Sequence, residues 1–372
     1  MILRKKTVLL YAHYDVKPAG KLELWNTPPF EPTVIDGKVY ARGSADNKAP
    51  LMAHLKAVDY YLKTGTELPV NLILLFEGCE EDGSRGLAEF LAENRENYQA
   101  DLVFFSDGSK DPANLPIIAL GCKGLQGIEI RVNTMRTNAH SRYAPVLPNA
   151  MWVLVDLLSK LKTGDRVNVP GFYDDILPIG EKEKAILDAT PSSTKQMEEL
   201  YQTKINCYGL SFHDRLNNAP TFNINQIEGG ANGVVPSQAI AKLDMRLVAG
   251  MHPEETFLKV EKYIRELGYG DEVEVINTGG VEPSKTDIST QYLPIIEQAT
   301  QEVYGEYVVY PCRPSTAPDF IWTRVLGIPA IQVRNSDADS DNHAPNEKES
   351  IKEYMDGIAV TARVLQLIGD MK

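Results

Sequence analysis

Three short apolar runs of strand length open the chain: Lys6 to Tyr11 (KTVLLY), Val70 to Phe76 (VNLILLF) and Asp101 to Phe105 (DLVFF). Between the first two, Ala49 to Leu62 carries apolar residues at helical spacing, and Gly86 to Asn94 (GLAEFLAEN) has the same period. Strands alternating with helices predict a mainly parallel α/β sheet. In such sheets ligands bind beyond the carboxyl ends of the strands, which is where the polar clusters of this chain fall.

From about Gln126 the pattern changes. LQGIEIRVNT alternates like a half-exposed strand, and Asn149 to Leu161 is an amphipathic helix. A polar, helix-prone stretch follows, then two strands, Thr221 to Glu228 and Gln238 to Val248. Pro253 opens the helix HPEETFLKVEKYIRELG, with Pro near the first turn and Gly at its end, and DEVEVINT closes the set. This β-α-β-β-α-β order predicts a ferredoxin-like α+β sandwich with an open antiparallel sheet. From about Val281 the first pattern returns: a helix around Tyr292 to Tyr304, the strand AIQVR and a C-terminal helix from Ile351. The expected organisation is an α/β catalytic domain built from residues 1–122 and 281–372, with residues 123–280 inserted as a lid.

The 372 residues suffice for two domains. A net charge of -13 argues against an electrostatic grip on nucleic acid or an anionic membrane, and no apolar run is long enough to span a bilayer. The start, MILRKKTVLLYAHYDV, has the basic-then-apolar order of a signal peptide. Its apolar run is short, lacks a small-residue cleavage site and leads directly into His13 and Asp15, so an internal strand is expected instead. Cys79, Cys122, Cys207 and Cys312 are scattered and read as free thiols, as in a reducing cytoplasm.

Five polar segments carry candidate chemistry. His13-Tyr14-Asp15 could be a metal ligand and the carboxylate that orients its ring, or a hydrogen-bonded strand end. Asp46, in ARGSADNK, precedes a helix and could simply cap it. Glu77, Glu80, Glu81 and Asp82 crowd one strand end, and their repulsion calls for a cation or for solvent. Asp107 lies in a Ser-Asp-Gly segment that also suits a plain turn. His343, in DNHAPNE, again precedes a helix. Two His and several carboxylates are a suitable set for a two-metal hydrolase.

The order of the stretches YAHYDV, ARGSADNK, LFEGCEEDGS, SDG, TNAHS, GFYDD, IEGG, MRLV and DNHAPNE resembles the peptidase M20 family, most closely its carnosinase and cytosolic non-specific dipeptidase branch. The resemblance implies a zinc-peptidase-like catalytic domain that cleaves a dipeptide with two divalent ions per chain, Zn or Mn. His13, Asp46, Glu81, Asp107 and His343 would be the metal ligands, with Asp46 bridging and followed by an unusual cis peptide. Asp15 would orient His13, and Glu80 would be the general base. The lid would mediate a homodimer and send His140 to the partner's site, where it would donate to the oxyanion. Arg246 would bind the substrate's free carboxylate, near Asn232 and Ser315.

Departures from the pattern bear on the substrate. The branch carries a longer stretch before the first metal-binding His, and the helices it contains would cover apolar surface. Lys123 stands where relatives tend to have Arg, and VEPSKTDIST holds no match to an additional pocket His. An N-acyl-amino-acid deacylase of the same superfamily and a non-catalytic homologue are the competing readings.

Overall fold

A computed structural model describes residues 5–371, so the first four residues of the signal-like start lie outside the described part. The first third contributes strands β1 (Thr7–His13), β2 (Asn71–Glu77), β3 (Leu102–Phe105) and β4 (Ile117–Ala119). The middle contributes β5 (Gly124–Asn133), β6 (Asn223–Gly229), β7 (Gln238–Leu247) and β8 (Val273–Val281), and the last part β9 (Val308–Tyr310) and β10 (Ala330–Arg334).

Six of these strands form one sheet in the order β9-β4-β10-β3-β1-β2. β2, β1, β3 and β10 run parallel, and the sheet reverses direction once, between β10 and β4. All seven residues of β1 are buried, as a strand covered on both faces must be. Val8 and Leu10 pack towards helices α5 (Leu293–Tyr304) and α6 (Ile351–Gly369), whereas Leu9 and Tyr11 pack against Leu91 of α2 (Leu87–Glu93) and Trp322. This two-sided core explains why the first apolar runs show no polar alternation.

The other four strands form an antiparallel sheet in the order β6-β7-β5-β8, the ferredoxin-like arrangement. Its two central strands, β7 and β5, alternate: Ile128, Ile130 and Val132 of β5 are buried while Glu129 and Arg131 lie on the other face. The buried set packs on α3 (Ala150–Leu161) through Leu154 and Leu157, and on α4 (Pro253–Glu266) through Phe257, Val260 and Ile264. Asn149 caps α3, accepting from the backbone N–H of Met151 and Trp152. The polar stretch after α3 forms three short helices, Glu181–Ala189, Thr194–Tyr201 and Phe212–Asn218.

The chain passes between the two sheets at adjacent places. Ser284–Lys285 pairs antiparallel with Gly121–Cys122, so the outgoing and returning segments form a two-stranded ribbon. Gly121 is required there, since a Cβ on it would stand 2.0 Å from the Ser284 carbonyl oxygen. All four cysteines are free, and among the described residues no helix is long and apolar enough to cross a membrane.

Candidate metal centre

The carboxyl ends of the parallel strands deliver the site. β1 ends in His13, β2 leads into the turn Glu80–Asp82, β3 is followed by Asp107, and the loop after β10 carries His343. Strands of one direction thus bring residues far apart in sequence to a single edge of the sheet.

His13 is fully buried. Its Nε2 lies 3.0 Å from Asp46 Oδ1 and its Nδ1 3.2 Å from Asp15 Oδ1. Asp15 in turn accepts from the backbone N–H of Glu80 and Glu81 at 3.2 and 3.0 Å, which ties the β1 loop to the acidic turn. The other oxygen of Asp46 lies 3.0 Å from His343 Nε2, and the same nitrogen is 3.1 Å from Glu81 Oε2. Two groups result, His13–Asp46–Asp107 and Asp46–Glu81–His343, each with donor atoms within 4.8 Å of one another. Each is a His-plus-carboxylate set of the kind that holds a divalent ion, and Asp46 belongs to both.

Asp46 does not cap a helix. The turn Ser44–Lys48 has non-helical angles at Asp46 and Asn47 and a cis peptide between them, and α1 (Ala49–Thr64) begins only afterwards. Glu347 holds this turn with four bonds. Its Oε1 accepts from the N–H of Ala45 and Asp46 at 3.1 and 3.0 Å, and its Oε2 from Gly43 N–H and Arg42 Nη1 at 2.8 and 2.6 Å. Asn47 Nδ2 donates to Ser106 O and to Asp107 Oδ1, and Gln332 Nε2 donates to Asp107 O.

The crowded acids separate by role. Glu77 is turned aside, accepting from Tyr11 Oη at 2.6 Å and Ser84 Oγ at 2.8 Å, and Asp82 pairs with Arg85 in solvent. Glu80 and Glu81 are left to the site. Burial first, then the charge of Asp107, pushes Glu80 up to about 8. Burial followed by the charge of Asp46 raises Asp107 to about 6. Burial opposes charge on His13, yet the Asp46 bond with Asp107 and Glu80 outweighs it and lifts His13 to about 10. Bonds from Asp46 and Glu81 bring His343 to about 10 as well. Burial would raise Asp46, but its bonds to the two histidines hold it well below the usual carboxylate range. Carboxylates packed this densely retain protons unless cations take their place, so the donor set fits divalent ions.

The remaining candidates lie apart from this cluster. Arg246, near the end of β7, donates from Nη1 to Thr316 Oγ1 at 2.6 Å, and Thr316 donates on to Gly124 O. Ser315 is exposed beside Thr316, and its carbonyl accepts from Lys123 N–H. His140, on the short strand Ala139–His140, is exposed and accepts from Arg142 N–H at its own Nδ1. Asn232 is exposed in the turn before Val234. Among the described residues neither His140 nor Asn232 contacts the metal groups of its own chain. His54, His213 and His252 also stand outside them: His54 is buried against Thr361 and Phe104, His213 lies against Tyr310, and His252 pairs with Glu282.

The model of peptidase family M20/M25/M40 matches residues 9–367, nearly the whole chain. The chain belongs to that family. It is therefore a peptide-bond hydrolase, and its fold is the mixed α/β fold of these peptidases. It is 28% identical to the Cys-Gly metallodipeptidase of Candida albicans, over 98% of this chain and 79% of that protein. It is 30% identical to the Beta-Ala-His dipeptidase of Homo sapiens, over 96% of this chain and 74% of that one. Among solved structures, it is similar to an M20 family metallo-carboxypeptidase from Sulfolobus solfataricus. The TM-score there is 0.87 at 32% identity, covering 100% of this chain and 87% of the other. Family membership agrees with divalent metals at the two donor groups.

Three residues that bear on the site escaped the sequence reading. Glu347 lay within DNHAPNE, but its bracing of the Asp46 turn is visible only once the two ends of the chain meet. Thr316 and Lys17 carried no signal at all: Lys17 Nζ lies 3.3 Å from Glu81 Oε2 and also donates to the Glu81 carbonyl.

Proposed function

We propose that this peptidase cleaves the amide bond of dipeptides at a centre of two divalent ions, Zn or Mn, bridged by Asp46. The observation that carries this reading is the pair of His-carboxylate groups sharing one aspartate, with the raised carboxyl of Glu80 beside them. His13 and Asp107 would hold one ion and Glu81 and His343 the other. When bound, the ions would acidify a water and polarise the scissile carbonyl. Glu80 takes a proton from the attacking water as its oxygen adds to the carbonyl carbon. It then returns that proton to the amine as the C–N bond breaks, giving two amino acids from one dipeptide. Asp15 keeps the His13 ring oriented, with Nε2 towards Asp46.

The lid supplies recognition. Arg246 would receive the free carboxylate of the substrate in a forked contact, with Ser315 and Asn232 lining the pocket. The exposure of His140, away from the metal groups of its own chain, supports a role in the partner's site of a homodimer, donating to the oxyanion. In this reading residues 1–122 and 281–372 form the catalytic domain and residues 123–280 the lid. The free cysteines suit a cytoplasmic setting.

The similarity to a metallo-carboxypeptidase supports a second reading, removal of one residue from the carboxyl end of longer peptides. A substrate panel separates the two. Free dipeptides, N-acylated amino acids and peptides of increasing length would be supplied to the chelator-treated protein, with and without restored Zn or Mn. The expected outcome is metal-restored cleavage confined to free dipeptides. Equal cleavage of longer peptides would favour the carboxypeptidase, and cleavage of acylated compounds alone a deacylase.

A further inference from the structure

Glu81 Oε2 faces two cationic groups. His343 Nε2 lies 3.1 Å away on the side of Asp46, and Lys17 Nζ lies 3.3 Å away on the other. Lys17 also donates to the Glu81 backbone carbonyl, which offers its ammonium a second acceptor when the carboxylate changes partner. The Glu81 side chain is only 8% exposed, which limits how far solvent screens the pair, while Lys17 keeps 36% of its own side chain in water. On the other side the cations that act on Asp107 are the buried guanidinium groups of Arg313 and Arg334, and among the described residues neither forms a direct ion pair with it. There the shared Asp46 is grouped with His13 and Asp107, and the direct donors to Asp107 are the neutral amides of Asn47 and Gln332, so no ammonium already occupies a ligand carboxylate as Lys17 occupies Glu81.

We infer that Lys17 makes the two ion positions unequal: its ammonium occupies the Glu81 carboxylate when no ion is bound and repels an ion held by Asp46, Glu81 and His343. This rests on the two-ion reading above and goes beyond it by assigning the weaker, exchangeable position to the Glu81 side. The physical basis is simple. A fixed positive charge within a few ångströms of a divalent ion opposes its binding, and one that already pairs with the ligand must first be displaced. A lysine is suited to this, being a compact charge on a flexible stem that can retreat to the carbonyl once the carboxylate is taken.

The test is stepwise binding of Mn(II) to the chelator-treated full chain, followed by equilibrium dialysis with metal analysis, for the natural protein, Lys17→Met and Lys17→Arg. The natural protein should take two ions with clearly separated affinities. Lys17→Met should tighten the weaker step by roughly tenfold or more and leave the stronger step unchanged. Lys17→Arg, which keeps the charge, should behave as the natural protein does. Melting temperatures without metal provide an independent readout, since Lys17→Met leaves Glu81 with His343 as its one cationic partner and should melt lower only in that state. Unchanged or weaker binding in Lys17→Met, with two ions still bound by the natural protein, would overturn the role of Lys17. Failure of the natural protein to bind two ions would instead remove the two-ion reading on which it rests.

Discussion

At the scale of single residues, the site is a problem of charge. Asp15, Asp46, Glu80, Glu81 and Asp107 share a small volume with two histidines, and a carboxyl held near 8 is the consequence at Glu80. If Glu80 moves the proton, Glu80→Gln should lower kcat by about 10²- to 10⁴-fold while bound metal stays at the natural level. Metal analysis beside steady-state kinetics would check this, and loss of metal in the variant would make Glu80 a ligand instead. Away from the centre, His54 is fully buried with one bond, to Thr361, and burial lowers it to about 4. Its folded value lies below its ordinary 6.5, so the stability it contributes is complete above pH 6.5 and is lost as pH falls towards 4. That loss amounts to roughly 3 kcal/mol. Denaturant titrations at pH 7 and pH 4 should show a smaller acid loss in His54→Gln than in the natural protein. Equal losses would mean that His54 stays neutral in both states.

At the scale of elements, two devices position the chemistry. The parallel strands β1, β2, β3 and β10 aim their ends at one edge, and Glu347 ties the Asp46 turn down through four hydrogen bonds. Glu347→Gln cannot accept equally at both ends and should weaken metal binding while leaving the β1–β3 core intact. Metal content measured against the far-ultraviolet circular dichroism spectrum would check it. A full complement of metal in the variant would show that the turn holds without Glu347. The crossing ribbon makes a different demand: Gly121→Ala would drive a methyl into the Ser284 carbonyl and should cost about 1–3 kcal/mol, seen as a lower midpoint in urea.

These elements also show what could be read without coordinates. The alternation of LQGIEIRVNT in β5 and the β-α-β-β-α-β order around it pointed to the antiparallel sheet, and the short apolar runs of β1, β2 and β3 between helical stretches pointed to the parallel one. The ligand-bearing segments stood out because charge at the end of an apolar strand is costly without a partner. What could not be read were contacts closed only by tertiary structure: Glu347 reaching a turn about 300 positions away, Thr316 meeting Arg246 across the two sheets, and Lys17 meeting Glu81. Nor did the pattern decide that Asp46 faces two histidines and not the first turn of a helix. Both roles put an acid just before a helical run, and only the non-helical angles at Asp46 and Asn47 separate them.

At the scale of the whole molecule, the metal groups belong to one sheet while Arg246 and His140 stand on the other layer. In the proposed reading, recognition and chemistry depend on how the inserted sheet meets the catalytic one, and for His140 on a second copy of the chain. If His140 serves the partner, mixing inactive Glu80→Gln and His140→Ala chains should restore activity in the hybrid dimer, up to about a quarter of the natural level on statistical pairing in a symmetric dimer. No recovery on mixing, with dimers present by sedimentation, would assign His140 no role across subunits.

If hydrolysis of a dipeptide needs both ion positions that share Asp46, activity should track the number of ions bound. The chelator-treated protein would be loaded with Zn or Mn in steps, with bound metal and dipeptide hydrolysis recorded on the same samples. Activity should stay low up to one ion per chain, rise steeply between one and two, and level off thereafter, with Asp46→Asn failing to load and to cleave. Full activity at one ion per chain, or in Asp46→Asn, would contradict that need for both positions.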